Sequence, residues 1–204
     1  MLEMTPVITA QDTIAFNLKK KIEDHTALIG VIGLGYVGLP LAVEKAKVGF
    51  KVLGFDINPE KTAKINAGQN YIRDVRDEDL QELAANKTLS ATTDFNRLSE
   101  CDVIIICVPT PLTATRDPDI SYIKASGEEV AKHLHAGQLV TLESTTYPGT
   151  TEELILPMLE KTGLKVGKDF FLAFSPERVD PGNKRFTTKN TSKVVGGVTP
   201  YCLE

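Results

Sequence analysis

The chain has 204 residues, of which 42% are hydrophobic and 25% are charged, and its net charge is −4. These values are typical of a one-domain globular protein, and neither a membrane span of roughly 18 apolar residues nor a signal peptide is apparent. The slight acidity does not favour nucleic-acid binding through overall charge, since the phosphates require Lys and Arg.

Residues 1–26 are predicted to form an N-terminal arm that contains a helix. Ile14, Leu18 and Ile22 recur at helical spacing, with Lys19, Lys20 and Lys21 between them. We interpret the lysine run as a solvated helix face. A helix that binds a membrane or a partner is the alternative, and no other part of the sequence favours it.

From Leu28 onward, short apolar runs alternate with helical segments. The runs are Leu28–Ile32, 52–55, 103–108, Leu139–Leu142 and 170–174. Continuous apolar runs are typical of parallel strands that are covered on both faces, and the intervening helices complete the βαβ pattern. The sequence therefore predicts an α/β fold with a Rossmann-like, doubly wound parallel sheet.

Local signals place the ends of several predicted helices. Pro40 lies in a first turn, and Gly49 and Gly68 are candidates for the residue that follows a helix. Asn58 and Pro59 suit the start of a helix. The run Thr150-Thr151-Glu152-Glu153 predicts a capping box, and Pro157 is expected to kink or shorten the helix that follows.

Two long polar segments, 109–120 and 175–192, each follow a predicted strand directly. Loops longer than about 12 residues within compact domains are often functional. Ligands of open α/β sheets bind beyond the carboxyl ends of the strands. We therefore expect the functional site at these two loops.

The first strand is followed by Gly33-Leu34-Gly35-Tyr36-Val37-Gly38, a G-x-G-x-x-G motif that opens a helix. In this context Gly33 permits the tight turn, Gly35 allows close approach of a pyrophosphate, and Gly38 permits close helix packing. The N–H groups at the helix start would then face the phosphates. A turn that is only structural, or a looser site for S-adenosylmethionine, is the alternative.

Asp56 ends the second strand, about 20 residues after the glycines, where a carboxylate can accept hydrogen bonds from the adenosine ribose. Its charge would repel a 2′-phosphate, and Ile57, Asn58 and Pro59 offer no Arg to compensate. The motif and this carboxylate together favour NAD over NADP as the cofactor.

Further candidates lie where later strands end. Hydroxyl groups in 109–111 and 143–146 could bind a nicotinamide ribose or a substrate oxygen, although N-capping or turn formation is the better explanation for any single Thr. Glu177 could be a general base or a residue of a surface loop. Arg178 could bind a phosphate or a carboxylate through two hydrogen bonds.

No metal site is predicted, because His133 and His135 face different directions on a helix and His25 is distant. Cys101, Cys107 and Cys202 form neither a C-x-x-C motif nor an even framework, which favours a reducing compartment. We expect a cytoplasmic protein in which Cys101 and Cys107 are packing residues, since apolar burial raises a thiol pKa.

Five ordered motifs resemble the NAD-dependent nucleotide-sugar 6-dehydrogenases of the UDP-glucose/GDP-mannose dehydrogenase family. They are GVIGLGYVGLPLA (30–42), GFDIN (54–58), CVPTPL (107–112), ESTTYPGTTEE (143–153) and FSPERVDPGN (174–183). The resemblance covers residues 27–204. The last two motifs look most like the UDP-N-acetylglucosamine 6-dehydrogenase branch, with UDP-N-acetylmannosamine dehydrogenases a close second.

The resemblance assigns roles to individual residues. It implies Glu177 as acid/base, Thr145 as a cofactor and water contact, and Arg178 and Val179 as substrate contacts. Where the UDP-glucose branch often carries a second glutamate, this chain has Pro181, so water activation would rest on Glu177 or Asp180. The residues implied to contact NAD are Gly33, Gly35, Tyr36, Val37, Gly38, Asp56, Lys61, Thr110 and Thr145.

The family resemblance also implies a reaction: oxidation of a sugar C6 alcohol to a carboxylate with two NAD, through a cysteine thioester. The lysine, asparagine and nucleophilic cysteine of the family lie beyond the motifs present here, and Cys202 does not match the nucleophile. The chain is thus expected to be the NAD-binding part of a larger, homodimeric or higher enzyme, and to be inactive alone. A non-catalytic NAD-binding module is the alternative.

Overall fold

The computed structural model of this chain describes residues 10–113, 116–178, 185 and 188–204, with side chains from residue 13 onward. Within these ranges, seven strands form one sheet in the order β3-β2-β1-β4-β5-β6-β7. They are β1 (Leu28–Ile32), β2 (Lys51–Phe55), β3 (Leu89–Thr92), β4 (Val103–Ile106), β5 (Leu139–Leu142), β6 (Phe171–Phe174) and β7 (Gly196–Gly197).

Helices connect and flank these strands. The α-helices are α1 (Ala10–Glu23), α2 (Gly38–Lys47), α3 (Pro59–Asn66), α4 (Asp77–Ala85), α5 (Ser121–His133), α6 (Leu156–Glu160) and α7 (Pro200–Leu203). A 3₁₀ helix covers Phe95–Glu100, and a π-helix covers Thr150–Ile155 and leads into α6.

The strand order confirms the predicted doubly wound sheet. The pairs from β3 through β6 are all parallel, and β7 runs antiparallel to its neighbour β6. The chain proceeds outward from β1 to β3, then returns to place β4 on the other side of β1. The carboxyl ends of β1 and β4 therefore flank the point where the strand order reverses, and ligands of such sheets bind at that point.

The hydrophobic core lies on both faces of the sheet, as the continuous apolar runs predict. In β4, Val103 and Ile105 belong to one buried cluster, whereas Ile104 and Ile106 belong to the other. The first cluster contains side chains of α2, α3 and α4, and the second contains side chains of α5 and α6. This two-sided burial fixes the strand ends that carry the candidate site.

Helix α1, from the predicted arm, lies against the first of these clusters. Leu18 is buried, and Ile14 and Ile22 pack beside it. The three lysines are exposed, as a solvated face requires, and Lys21 Nζ lies 2.6 Å from Asp102 Oδ1. The helix is thus anchored by its apolar stripe and one ion pair.

Most predicted helix boundaries are confirmed. The Asn58 side chain accepts a hydrogen bond from Glu60 N, with Pro59 in the first turn of α3. Gly49 and Gly68 follow α2 and α3 with φ values of 108° and 66°, the left-handed conformation expected after a helix.

The predicted capping box at Thr150 is wrong. The π-helix begins after Gly149, which has a φ of 92°, and no side chain caps it. The Thr150 hydroxyl instead donates to Tyr147 O at 2.8 Å and lies 2.7 Å from Thr146 Oγ1. Pro157 is the second residue of α6, which is only five residues long, in agreement with the predicted shortening.

Candidate functional site

The glycine motif forms the turn from β1 into α2. Gly33 has a φ of 91°, and a Cβ atom at this residue would lie 2.5 Å from Cys107 O. A Cβ atom at Gly38 would overlap Gly33 O, so helix α2 can start this close to the turn only with glycine there. These two positions confirm the predicted tight turn and close helix packing.

Gly35 differs from the other two glycines, because no atom of the described residues lies within 4 Å of the position that its Cβ would occupy. The requirement for glycine here therefore does not come from the surrounding protein, and the space above the turn is open. The first turn of α2 contains no acidic residue. Open space beside backbone N–H groups at a helix start suits a phosphate group.

Asp56 lies at the end of β2, and its side chain is only 7% exposed. Its Oδ2 accepts a hydrogen bond from Leu34 N at 3.0 Å, and its Oδ1 accepts one from Asn58 N at 2.9 Å. Lys61 Nζ donates to Oδ2 at 3.1 Å. Because a carboxylate offers about four acceptor sites, capacity remains for a hydroxyl group of a ligand.

The remaining predicted cofactor contacts lie near this turn or at the end of β4. Tyr36 is 63% exposed, and Val37 is half-buried just before α2. Thr110 is half-buried in the segment after β4. Lys61 is held by its ion pair with Asp56, so its charge is partly neutralised.

The hydroxyl residues after β5 separate into structural and exposed ones. Ser144 is buried, and its Oγ accepts a hydrogen bond from Val108 N at 3.1 Å, which ties the ends of β4 and β5 together. Thr146 bonds to Thr150. Thr145 is exposed, which leaves it the hydroxyl of this run best placed to meet a ligand.

The segment after β6 brings Glu177 to the same edge of the sheet. Glu177 is half-buried, and its Oε1 accepts a hydrogen bond from Arg178 N at 2.7 Å. Arg178 is exposed. Val179, Asp180 and Pro181 lie outside the described residues.

An ion pair between Lys193 and Glu143 also lies at this edge. Burial raises the pKa of the Cys107 thiol, and the charges of Glu143, Lys193 and Glu177 also act on it. These three side chains therefore gather around the end of β4. No sequence pattern predicts a role for Lys193, because 50 residues of chain separate it from Glu143.

The cysteines are packing residues, as predicted for Cys101 and Cys107. All three are buried and free of disulfides. Burial raises the pKa of Cys101 to about 12, so its thiolate does not form near neutral pH. Among the described residues, no group of three or more His, Cys, Asp and Glu side chains could hold a metal ion.

In the part of the chain that the structure describes, no helix is both long and apolar enough to cross a membrane.

The candidate site consists of an open glycine turn, a strand-end carboxylate and a cluster of polar side chains at the ends of β4, β5 and β6. This arrangement defines a dinucleotide-binding domain of the Rossmann class.

Comparison with known proteins gives the family. Residues 27–204 match the NAD binding domain of the UDP-glucose/GDP-mannose dehydrogenase family. A UDP-N-acetyl-D-glucosamine 6-dehydrogenase from Pseudomonas aeruginosa is 42% identical over 177 residues, which cover 86% of this chain and 41% of that protein. The chain thus spans less than half the length of this relative.

Solved structures agree. The structure of a UDP-D-ManNAc dehydrogenase from Pyrococcus horikoshii superposes with a TM-score of 0.78 and 40% identity, over 86% of this chain and 42% of that one. The structure of a UDP-N-acetyl-mannosamine dehydrogenase from Staphylococcus aureus superposes with a TM-score of 0.79 and 34% identity, over 86% of this chain and 43% of that one. The chain belongs to the UDP-glucose/GDP-mannose dehydrogenase family as its NAD-binding domain, and NAD is its cofactor.

Proposed function

We propose that this chain is the NAD-binding domain of a UDP-N-acetylhexosamine 6-dehydrogenase, with UDP-N-acetylglucosamine as the first candidate substrate. The observation that carries the proposal is that the open glycine turn and the Glu177 segment share the carboxyl edge of one sheet. UDP-N-acetylmannosamine and UDP-glucose are the alternative substrates. Relatives named for UDP-N-acetyl-D-glucosamine and for UDP-N-acetyl-D-mannosamine are 42% and 41% identical to this chain, respectively.

The cofactor would span the point where the strand order reverses. The pyrophosphate would lie over Gly35, where space is open, and the adenosine ribose would donate to Asp56. The nicotinamide half would then extend toward the ends of β4 and β5. The residues proposed to contact NAD are Gly33, Gly35, Tyr36, Val37, Gly38, Asp56, Lys61, Thr110 and Thr145.

NAD, when bound, supplies the acceptor for hydride from the sugar C6. Glu177 is proposed to move a proton at the reacting oxygen, and Thr145 to hold a water or the cofactor beside it. Arg178 and Val179 would contact the substrate. None of the three cysteines serves as the nucleophile in this proposal, because all are buried. The domain alone would therefore bind cofactor without turnover.

Two properties of the whole enzyme belong to the same proposal. The UDP-sugar would be bound together with the remainder of the family's chain, in a homodimer or a higher oligomer. Three free cysteines are consistent with a reducing compartment, and we propose the cytoplasm.

The test is to measure NAD reduction by the complete enzyme that carries this domain, with the three UDP-sugars as separate substrates. We expect two NADH per UDP-N-acetylglucosamine. Glu177→Gln is expected to lower kcat about a hundredfold or more with little change in NADH affinity, since general acid–base catalysis contributes about that factor. Glu128→Gln, on the exposed surface of α5, is the matched control.

Preference for UDP-N-acetylmannosamine or UDP-glucose would replace the proposed sugar and leave the reaction class intact. Absence of NAD reduction with all three sugars would contradict the proposed activity. An unchanged kcat in Glu177→Gln would remove Glu177 from the mechanism.

A further inference from the structure

Tyr71 contacts the glycine turn, although it lies far from it in sequence. It belongs to the connection between α3 and α4, and its hydroxyl donates a hydrogen bond to Leu34 O at 2.7 Å. The side chain is half-buried against the first hydrophobic cluster. None of the motifs that predict the NAD site includes this tyrosine.

The N–H, the carbonyl and the side chain of Leu34 each make a defined contact. Its N–H donates to Asp56 Oδ2 at 3.0 Å, and its carbonyl accepts from Tyr71. The side chain is fully buried and packs over Gly54, where a Cβ atom would lie 2.7 Å from Leu34 Cδ2. Of these contacts, the hydrogen bond from the Tyr71 hydroxyl is the one that acts directly on the Leu34 carbonyl.

The Leu34 carbonyl and the Gly35 N–H belong to the same peptide unit. Because this unit is planar and trans, its C=O and N–H point in opposite directions. A hydrogen bond that holds the carbonyl toward Tyr71 consequently holds the Gly35 N–H away from it. A carbonyl that accepts a hydrogen bond also polarises its peptide, which makes the N–H a stronger donor.

We propose that Tyr71 is a positioning residue for the cofactor: its hydroxyl orients the Leu34–Gly35 peptide so that the Gly35 N–H is presented to a pyrophosphate oxygen. The inference rests on the proposed cofactor site at the glycine turn. It adds a determinant of NAD affinity from outside the motif, on the segment that connects α3 and α4.

The surroundings of Tyr71 support this role. Asn70 holds the segment in place, because its amide nitrogen donates to Val75 O at 2.6 Å and its oxygen accepts from Ile72 N at 2.9 Å. Burial and the charge of Asp56 raise the pKa of Tyr71 well above its ordinary value. The hydroxyl thus stays protonated and remains a donor throughout the physiological pH range.

The test compares Tyr71→Phe, which keeps the ring and removes only the hydroxyl, with Tyr201→Phe on α7 as the matched control. Dissociation constants for NADH, ADP-ribose and adenosine are measured with the 204-residue chain, together with the thermal midpoint. Loss of one hydrogen bond is expected to weaken NADH and ADP-ribose binding about fivefold in Tyr71→Phe. Adenosine, which lacks phosphate, should bind both variants and the wild type equally.

A second measurement separates positioning from general stabilisation. The NMR amide resonance of Gly35 should shift when ADP-ribose is added to the wild type, and should shift less in Tyr71→Phe at saturation. Unchanged NADH affinity in Tyr71→Phe, or an equal loss for adenosine, would overturn the inference while leaving the cofactor site intact. A wild type that does not bind NADH would overturn the cofactor site itself and the inference with it.

Discussion

The Asp56 carboxylate and the Lys61 ammonium form one unit at the adenosine end of the proposed site. Lys61 Nζ lies 3.1 Å from Asp56 Oδ2, and the carboxylate is buried whereas the lysine side chain is partly exposed. In this pair the negative charge disfavours a 2′-phosphate, and it also masks the positive charge that would attract one. Removing the carboxylate should therefore alter cofactor choice in two ways.

We expect Asp56→Ala to weaken NADH binding about tenfold or more, because hydrogen bonds to a charged group are lost. The same change should narrow the preference for NADH over NADPH, since the repulsion disappears and Lys61 is released. In the double variant Asp56→Ala/Lys61→Ala, the preference for NADH over NADPH should narrow less than in Asp56→Ala, because the lysine that would attract the 2′-phosphate is also removed. Fluorescence titrations with both cofactors provide the measurement.

Asp94→Ala serves as the control, because Asp94 also follows a strand and caps a helical turn, through a hydrogen bond to Asn96 N. Its cofactor preference should equal that of the wild type. If Asp56→Ala discriminates between NADH and NADPH as strongly as the wild type does, the ribose role of Asp56 is wrong.

Because the thiol of Cys101 is buried, the free energy of unfolding of the domain is expected to fall with rising pH in the alkaline range. Burial raises its pKa from 9.0 to about 12, so between these values the unfolded chain releases a proton that the native chain retains. The contribution of the protonated Cys101 thiol to the free energy of unfolding is fully present below pH 9 and is lost as the pH rises toward 12. Urea unfolding should show the wild type losing about 1.4 kcal/mol more than Cys101→Ala between pH 8 and pH 10.

The Cys101→Ala variant is the reference in this experiment, because it keeps every other titrating group that contributes at high pH. A parallel loss in the two proteins would mean that the Cys101 thiol is accessible to ionisation in the native state.

At the scale of elements, the turn from β1 to α2 contains two glycines that the fold requires, Gly33 and Gly38, and one, Gly35, that we propose the cofactor requires. Gly35→Ala should leave the free energy of unfolding nearly unchanged, because the added Cβ atom would contact no atom in the described part of the chain. It should weaken NADH binding about tenfold or more, since the methyl group occupies the space proposed for the pyrophosphate. Titration and urea unfolding of the same samples measure both quantities.

Gly196→Ala is the matched control, because the Cβ position of Gly196 is equally open and lies in β7 at the sheet edge. It should bind NADH like the wild type. Gly38→Ala, in contrast, should lower stability, because its Cβ overlaps Gly33 O. Wild-type NADH affinity in Gly35→Ala would show that the open space is not the cofactor site.

Elements with strong local signals were predictable. Strands β1 and β5 have the predicted bounds, because each is a short, mainly apolar run with a glycine close to one end, Gly33 after β1 and Gly137 before β5. The edge strand β3 was missed, since its sequence LSAT offers only two buried apolar residues. Strand β7 consists of two glycines that pair through the backbone alone, and such pairing has no sequence pattern.

The same distinction holds for the site. The glycine turn and Asp56 were predictable because strand, turn and helix follow one another in the chain. Tyr71 and Lys193 were not, because each reaches the site across 37 or 50 residues, and only the folded sheet brings them there. The capping box at Thr150 failed because its hydroxyl bonds within the preceding turn instead.

At the scale of the whole molecule, one sheet with a core on each face holds the described residues of the proposed site at a single edge. The glycine turn and Asp56 lie on one side of the point where the strand order reverses, and the cluster around Cys107 lies at the ends of the strands on the other side. A dinucleotide can therefore bridge the two halves of the sheet. This geometry, more than any single residue, makes the chain an NAD-binding domain.

The most direct test of this account is a fluorescence titration of the 204-residue chain with NADH and, separately, with NADPH. The open turn at Gly35 and the carboxylate of Asp56 predict saturable binding of NADH and much weaker binding of NADPH. Equal affinity for the two cofactors, or preference for NADPH, would contradict the assignment of Asp56. Failure to bind either one would contradict a cofactor site formed by this domain.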